Sequence, residues 1–191
     1  MPRVTKEPAE RRQEILDTAM KLFYEKGYEK TSITDIAKEM GVAQGLCYRY
    51  FSSKELIFDT ALDQYAEILV EQMTKGILKH EYDLKQIILK MPTFIDVEKN
   101  DSFYYKVCHG KESKKTHQQL SMKVCEKMTS IVQRMLDKAI KKGEIKQLDT
   151  KTVASFCVYG QLGILQDDEL KAEEKIKKIK EFLLKIFNFD S

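Results

Sequence analysis

Ile33-Thr34-Asp35-Ile36-Ala37-Lys38-Glu39-Met40-Gly41-Val42-Ala43-Gln44-Gly45-Leu46-Cys47-Tyr48-Arg49-Tyr50-Phe51-Ser52 reads as a short helix, a tight turn and a second short helix. Ala37 stands four residues before Gly41, and its small side chain lets the second helix cross closely over the first. Gly41 supplies a left-handed backbone position that a side chain would resist. Ile36, Met40, Val42 and Cys47 fill the angle between the two helices. The outer face of the second helix is then free to enter a DNA major groove, about 12 Å wide. The stretch is therefore read as a helix-turn-helix over residues 33–52.

The side chains on that outer face suit the role. Gln44 donates and accepts together, as adenine recognition requires. Gly45 leaves the backbone bare where DNA would come closest. Tyr48 offers a hydroxyl and Arg49 a guanidinium at phosphate height. Lys54 follows at the start of the next helix. Residues 42–54 hold two basic side chains, Arg49 and Lys54, and no acidic one. The electrostatic argument is local, because residues 1–54 carry 10 basic against 8 acidic groups.

Outward from this core the pattern stays helical. Ile15, Ala19, Leu22 and Phe23 share one face of a helix from Glu10 to Lys26, with Gly27 as its stop. Ser32 with Asp35 has the spacing of a capping box, and Ser52 with Glu55 offers a second one before a long helix carrying Leu62, Tyr65, Ala66, Leu69 and Met73. Pro92 halts a short segment at 83–91. Residues 93–112 are the least clear. Long helices are expected at 114–142 and at about 150–165, and a last one at 171–187 with a stripe of Ile176, Ile179, Leu183 and Ile186. About nine helices and no sheet are expected.

Composition agrees. The 191 residues are 42% hydrophobic and 33% charged, with only 8 Gly and 3 Pro. This excludes a disordered polymer, collagen-like repeats and turn-rich all-β folds. The net charge of +3 is too small to argue by itself for a polyanion partner. The four cysteines, at 47, 108, 125 and 157, lie far apart and are expected to be reduced and buried. Residues 1–12 lack an apolar h-region and no apolar run is long enough to span a bilayer, so no leader and no membrane partner are expected, and the location expected is cytoplasmic.

Residues 10–56 resemble the TetR family of bacterial transcriptional regulators. The matching residues are Ile15-Leu16-Asp17-Thr18-Ala19, Leu22-Phe23, Gly27, Thr31 to Ala37, Gly41-Val42, Gly45, Tyr48, Tyr50-Phe51 and Ser53-Lys54-Glu55-Leu56. The resemblance implies an all-α homodimer. Residues 1–9 would form a flexible tail, 10–55 a three-helix DNA-binding domain, and 56–191 a helical domain for ligand binding and dimerisation. It also implies that Ser32, Thr34, Gln44, Gly45, Leu46, Tyr48, Arg49 and Lys54 meet a near-palindromic operator. Ala43 and Leu46 depart from the Ser or Thr common in the family. Ala43 makes the poorer N-cap, by about 1 kcal/mol.

An unidentified small-molecule effector is the expected second partner, because cavities between bundle helices are common ligand sites. Candidates for its pocket are Phe94, Phe103, Tyr104 and Cys108, with Met122, Cys125, Phe156 and Tyr159. The last two helices are expected to pair with their copies through Phe156, Gly160 and Gly163, and through Ile176, Ile179, Leu183 and Ile186. Cys108-His109 with His117 and Cys125 fits no standard zinc spacing. No cofactor, metal site or catalytic constellation is expected, since no phosphate loop, HExxH or GxSxG occurs. Two alternatives stay open: a DNA-binding dimer controlled by a partner protein, and a helical enzyme with an incidental helix-turn-helix.

Overall fold

Pro8 opens the first helix at a position where its missing N–H costs nothing, so α1 (Pro8–Lys26) begins two residues before the expected Glu10. The computed structural model describes residues 6–98, 102–110 and 113–189. Of the expected tail 1–9, the first five residues lie outside the described ones, and Pro8 and Ala9 are helical.

The next elements are α2 (Ile33–Glu39), α3 (Gln44–Tyr50) and α4 (Lys54–Leu78). Ser32 caps α2 with both halves of the box: its hydroxyl accepts from the Asp35 amide, and the Asp35 carboxylate accepts from the Ser32 amide. The Ser32 hydroxyl, and then its amide, hold the Asp35 carboxyl below its ordinary pKa. The turn after α2 is a Schellman motif. Val42 N–H donates to the Ala37 carbonyl at 2.9 Å and Gly41 N–H to Lys38 at 3.1 Å. Gly41 takes φ +66°, the conformation its residue type tolerates. The cap of α4 is shifted by one residue from expectation. Ser53, not Ser52, accepts from the Leu56 amide, so the third helical residue is an apolar Leu and no reciprocal box forms.

Farther along lie α5 (Leu84–Lys90), α6 (Phe94–Glu98), α7 (Phe103–His109), α8 (Lys114–Lys141), α9 (Thr150–Tyr159), α10 (Gln161–Leu165) and α11 (Ala172–Ile186). The described residues are helices and connections, with no strand. Asp83 and Asp149 cap α5 and α9. The helix expected over 150–165 is two segments, because the chain steps at Gly160. A Cβ placed there would stand 2.5 Å from the Phe156 carbonyl oxygen.

Two compact units result: Met1–Tyr65 with Asp101–Leu120, and Ala66–Asn100 with Ser121–Ser191. In the first, the buried faces of α1, α2 and α3 meet around Leu16, Met20, Ile36, Ala37, Cys47 and Phe51. Thr31 is buried beside them and its hydroxyl donates to the Gly27 carbonyl at 2.9 Å, which ties down the α1–α2 connection. The unit is larger than the stretch 10–55 expected to form the first domain. α7 packs on α1, with Tyr104 and Val107 against the core and the Tyr104 hydroxyl donating to Asp17 Oδ1 at 2.8 Å. Burial, and then that bond, push the Tyr104 phenol well above its ordinary pKa. In the second unit, Leu136, Ala139, Ala154 and Leu184 bring α8, α9 and α11 together over Leu84 and Ile88 of α5. α4 and α8 each begin in one unit and end in the other.

Candidate nucleic-acid interface

α3 has two unlike faces. Cys47 is fully buried under α1 and α2, whereas Gln44, Gly45 and Arg49 are exposed and Tyr48 is half exposed, at 50%. Positions 44 and 48, and 45 and 49, are each one helical turn apart, so these four form a continuous outer strip. Leu46 is half-buried at its edge. No side-chain bond caps α3 at Ala43, as its residue type dictates.

The flanking residues are placed differently. Thr34 is exposed at the start of α2. Ser32 is exposed too, yet its hydroxyl already serves the α2 cap. Lys54 is only partly exposed. Its ammonium donates to the Tyr28 carbonyl at 2.8 Å and lies 4.2 Å above the Tyr28 ring. One of its three N–H groups is thereby used in holding the α1–α2 connection to the start of α4.

Tyr28 is the residue that pattern reading missed. Its ring packs on Phe23 and Phe58, and its hydroxyl donates to Glu55 at 3.4 Å. Burial, followed by the Glu55 charge, pushes its phenol up to about 12. A second tie is the ion pair of Lys21 and Glu39 at 2.7 Å, which joins α1 to α2. A single aromatic in a connection carries no periodic signal, so its role emerges only in three dimensions.

The second unit holds an apolar cavity of about 130 Å³. Phe94 and Cys125 line it, as the sequence suggested for them. The other pocket candidates stand elsewhere. Phe103, Tyr104 and Cys108 ride on α7 in the first unit, where the apolar side of α7 faces α1. Met122 is half exposed and Phe156 is 77% exposed. Tyr159 is half-buried outside the cavity lining. Methionines contribute instead: Met73, Met91, Met128 and Met135 all line the space. Burial raises the Cys125 thiol to about 11 and shifts Cys157 in the same direction, so both thiols stay protonated near neutrality.

The residues expected to pair two copies also divide. Phe156, Gly160, Gly163 and Ile186 are exposed and Ile176 is half-buried. Ile179 is buried and Leu183 lines the cavity, because α11 turns that stripe toward its own unit. Phe182, not expected, is exposed at 59% beside them in sequence. The His109 ring stacks on Tyr105 at 4.1 Å and meets His117 edge-on at 5.0 Å. Among the described residues no group of three or more His, Cys, Asp or Glu is placed to hold a metal ion. No described helix is long and apolar enough to cross a membrane.

Residues 15–61 match the family model of bacterial regulatory proteins, tetR family. Over 183 residues the chain is 30% identical to the HTH-type transcriptional regulator YfiR of Bacillus subtilis (strain 168), covering 91% of this chain and 88% of that one. A TetR-family transcriptional regulator from Syntrophomonas wolfei shares the fold with a TM-score of 0.61, at 24% identity, over 95% of this chain and 97% of that one. The transcriptional regulator FadR from Bacillus subtilis, solved in complex with stearoyl-CoA, does so with a TM-score of 0.55, at 20% identity, over 94% and 99%.

The helix-turn-helix and the all-helical fold define a DNA-binding transcription regulator. The chain belongs to the TetR family.

Proposed function

We propose that the chain is a homodimeric repressor that an apolar small molecule releases from a near-palindromic operator. The observation that carries the reading is α3 itself: one side anchors Cys47 in the three-helix core while Gln44, Gly45, Tyr48 and Arg49 stand outside. In this reading Gln44 selects bases, Leu46 touches a thymine methyl, and Tyr48 and Arg49 hold phosphates. Ser32 and Thr34 approach the backbone from α2. Lys54 braces Tyr28 with one N–H and turns the others to a phosphate.

Two copies meet through the exposed apolar groups of α9–α11, chiefly Phe156, Phe182 and Ile186, with Gly160 and Gly163 allowing close approach. The dimer then sets two α3 helices about 34–36 Å apart, or a multiple of that, to match successive major-groove faces. The cavity supports an apolar effector, and the FadR fold, seen with stearoyl-CoA, accommodates a ligand with a long acyl chain. An occupant favours dimer geometries with a different spacing, a population shift carried by the continuous helices α4 and α8. The test is fluorescence anisotropy of a selected operator duplex titrated with a panel of apolar metabolites. At least one must lower operator affinity while leaving non-specific binding unchanged. Operator affinity indifferent to every cavity-binding compound defeats the effector half of the proposal.

A further inference from the structure

The cavity's polar lining groups differ in how far they are already used. Thr93 Oγ1 donates to Asp96 Oδ2 at 2.8 Å, and Gln161 Nε2 donates to the Cys157 carbonyl at 2.7 Å. The Cys125 thiol points to the Val158 carbonyl at 3.9 Å. Among the described residues, Lys180 is the one charged residue in the lining. Its ammonium donates to the Leu89 carbonyl at 2.6 Å, in the last turn of α5, where carbonyls lack an intrahelical partner. An ammonium has three donors, and this bond uses one. Lys180 forms no ion pair among the described residues, whereas its α11 neighbours Lys177 and Lys178 lie within 4.0 Å of Glu181 and Glu174. Lys175 makes a similar bond, to the Leu165 carbonyl at 2.8 Å, but stands outside the lining.

Apart from Lys180 the lining is mostly aliphatic and sulfur-bearing, with Phe94 and Phe187 as its aromatics. Four methionines, with three rotatable bonds each, adapt to a flexible chain better than to a rigid ring system. A ligand that enters this space therefore has an apolar body and one place to put a charge. We infer that the cavity takes a monoanionic amphiphile, a straight-chain carboxylate whose head group is held by Lys180 and whose tail lies among Met73, Met128 and Met135. This rests on the effector reading above and narrows it. A coenzyme A thioester is disfavoured as the occupant, since its several phosphate charges need more than one cation in the lining.

The test is calorimetric titration of the full-length protein with decanoate, decanol and decanoyl-CoA, each against wild type, Lys180→Met and Lys180→Arg. Thermal unfolding confirms that all three proteins are folded. Wild type binds decanoate more tightly than either other probe. Lys180→Met weakens decanoate about 10- to 100-fold, the range for one charge-assisted hydrogen bond, leaves decanol unchanged, and Lys180→Arg retains most of the preference. The inference is overturned if decanoate and decanol bind wild type alike, if Lys180→Met leaves decanoate untouched, if decanoyl-CoA binds tighter than decanoate, or if no probe binds. The effector reading fails separately, when decanoate binds as described yet operator affinity does not change.

Discussion

Arg49→Ala reports on whether the outer strip of α3 touches phosphates. Arg49 is exposed and makes no ion pair among the described residues, so its removal leaves no buried charge behind and no cavity. If the guanidinium neutralises one phosphate per protomer, the dimer loses two counterion-releasing contacts. Each contact contributes about 0.9 to the slope of log affinity against log salt, so the variant's slope is shallower by about 1.8. A fourfold rise in salt then compresses the wild-type to variant affinity ratio about 12-fold. Anisotropy titrations at several salt concentrations, on the operator and on unrelated duplexes, measure this directly. The loss falls equally on both kinds of DNA. Gln44→Ala is the internal contrast: it leaves the slope alone and costs about 1–3 kcal/mol on the preferred sequence only. Parallel salt lines for wild type and Arg49→Ala would refute the reasoning, whatever the change in absolute affinity.

Other perturbations act on the scaffold. Gly41→Ala must hold φ +66° with a side chain in open space, so only backbone strain of about 1–2 kcal/mol is introduced, and the unfolding midpoint falls by roughly 2–8 °C. Phe156→Glu changes a residue that is 77% exposed; sedimentation should shift toward monomer and operator binding should fall, while the far-UV helical signal is kept. Asp35 and Asp149 have carboxyls held below the ordinary range, first by the Ser32 and Thr152 hydroxyls. A depressed folded pKa means their contribution is complete above the unfolded value near pH 4 and lost as pH falls through the lower folded value. The double variant Asp35→Asn/Asp149→Asn should therefore show a flatter stability profile on the acid side in pH-dependent chemical denaturation.

What could be read from the chain followed the range of each signal. The Ser32–Asp35 box and the Gly41 turn involve residues three to five apart, so local chemistry specifies them and the structure repeats them almost bond for bond. The same locality exposed Gln44, Tyr48 and Arg49 while burying Cys47. Partner choice between distant elements was not legible. Phe103, Tyr104 and Cys108 announce an apolar segment, but nothing in their spacing says that Asp17 and the flank of α1 will receive it. The α11 stripe shows the same limit. Helical periodicity groups Ile176, Ile179, Leu183 and Ile186, yet the core of the chain's own unit takes Ile179 and Leu183 and leaves Phe182 outside. Lys54 and Lys180 each donate one hydrogen bond to a backbone carbonyl, of Tyr28 and of Leu89, and a carbonyl carries no mark in a sequence.

Selection of bound duplexes from a random pool by the full-length protein tests the central claim most directly. The account predicts a two-fold-symmetric motif whose half-sites lie one helical turn apart or a multiple of it, with altered half-site preference when Gln44 is replaced by Ala. Recovery of a pool with no enriched motif, at salt where binding is still measurable, would contradict it.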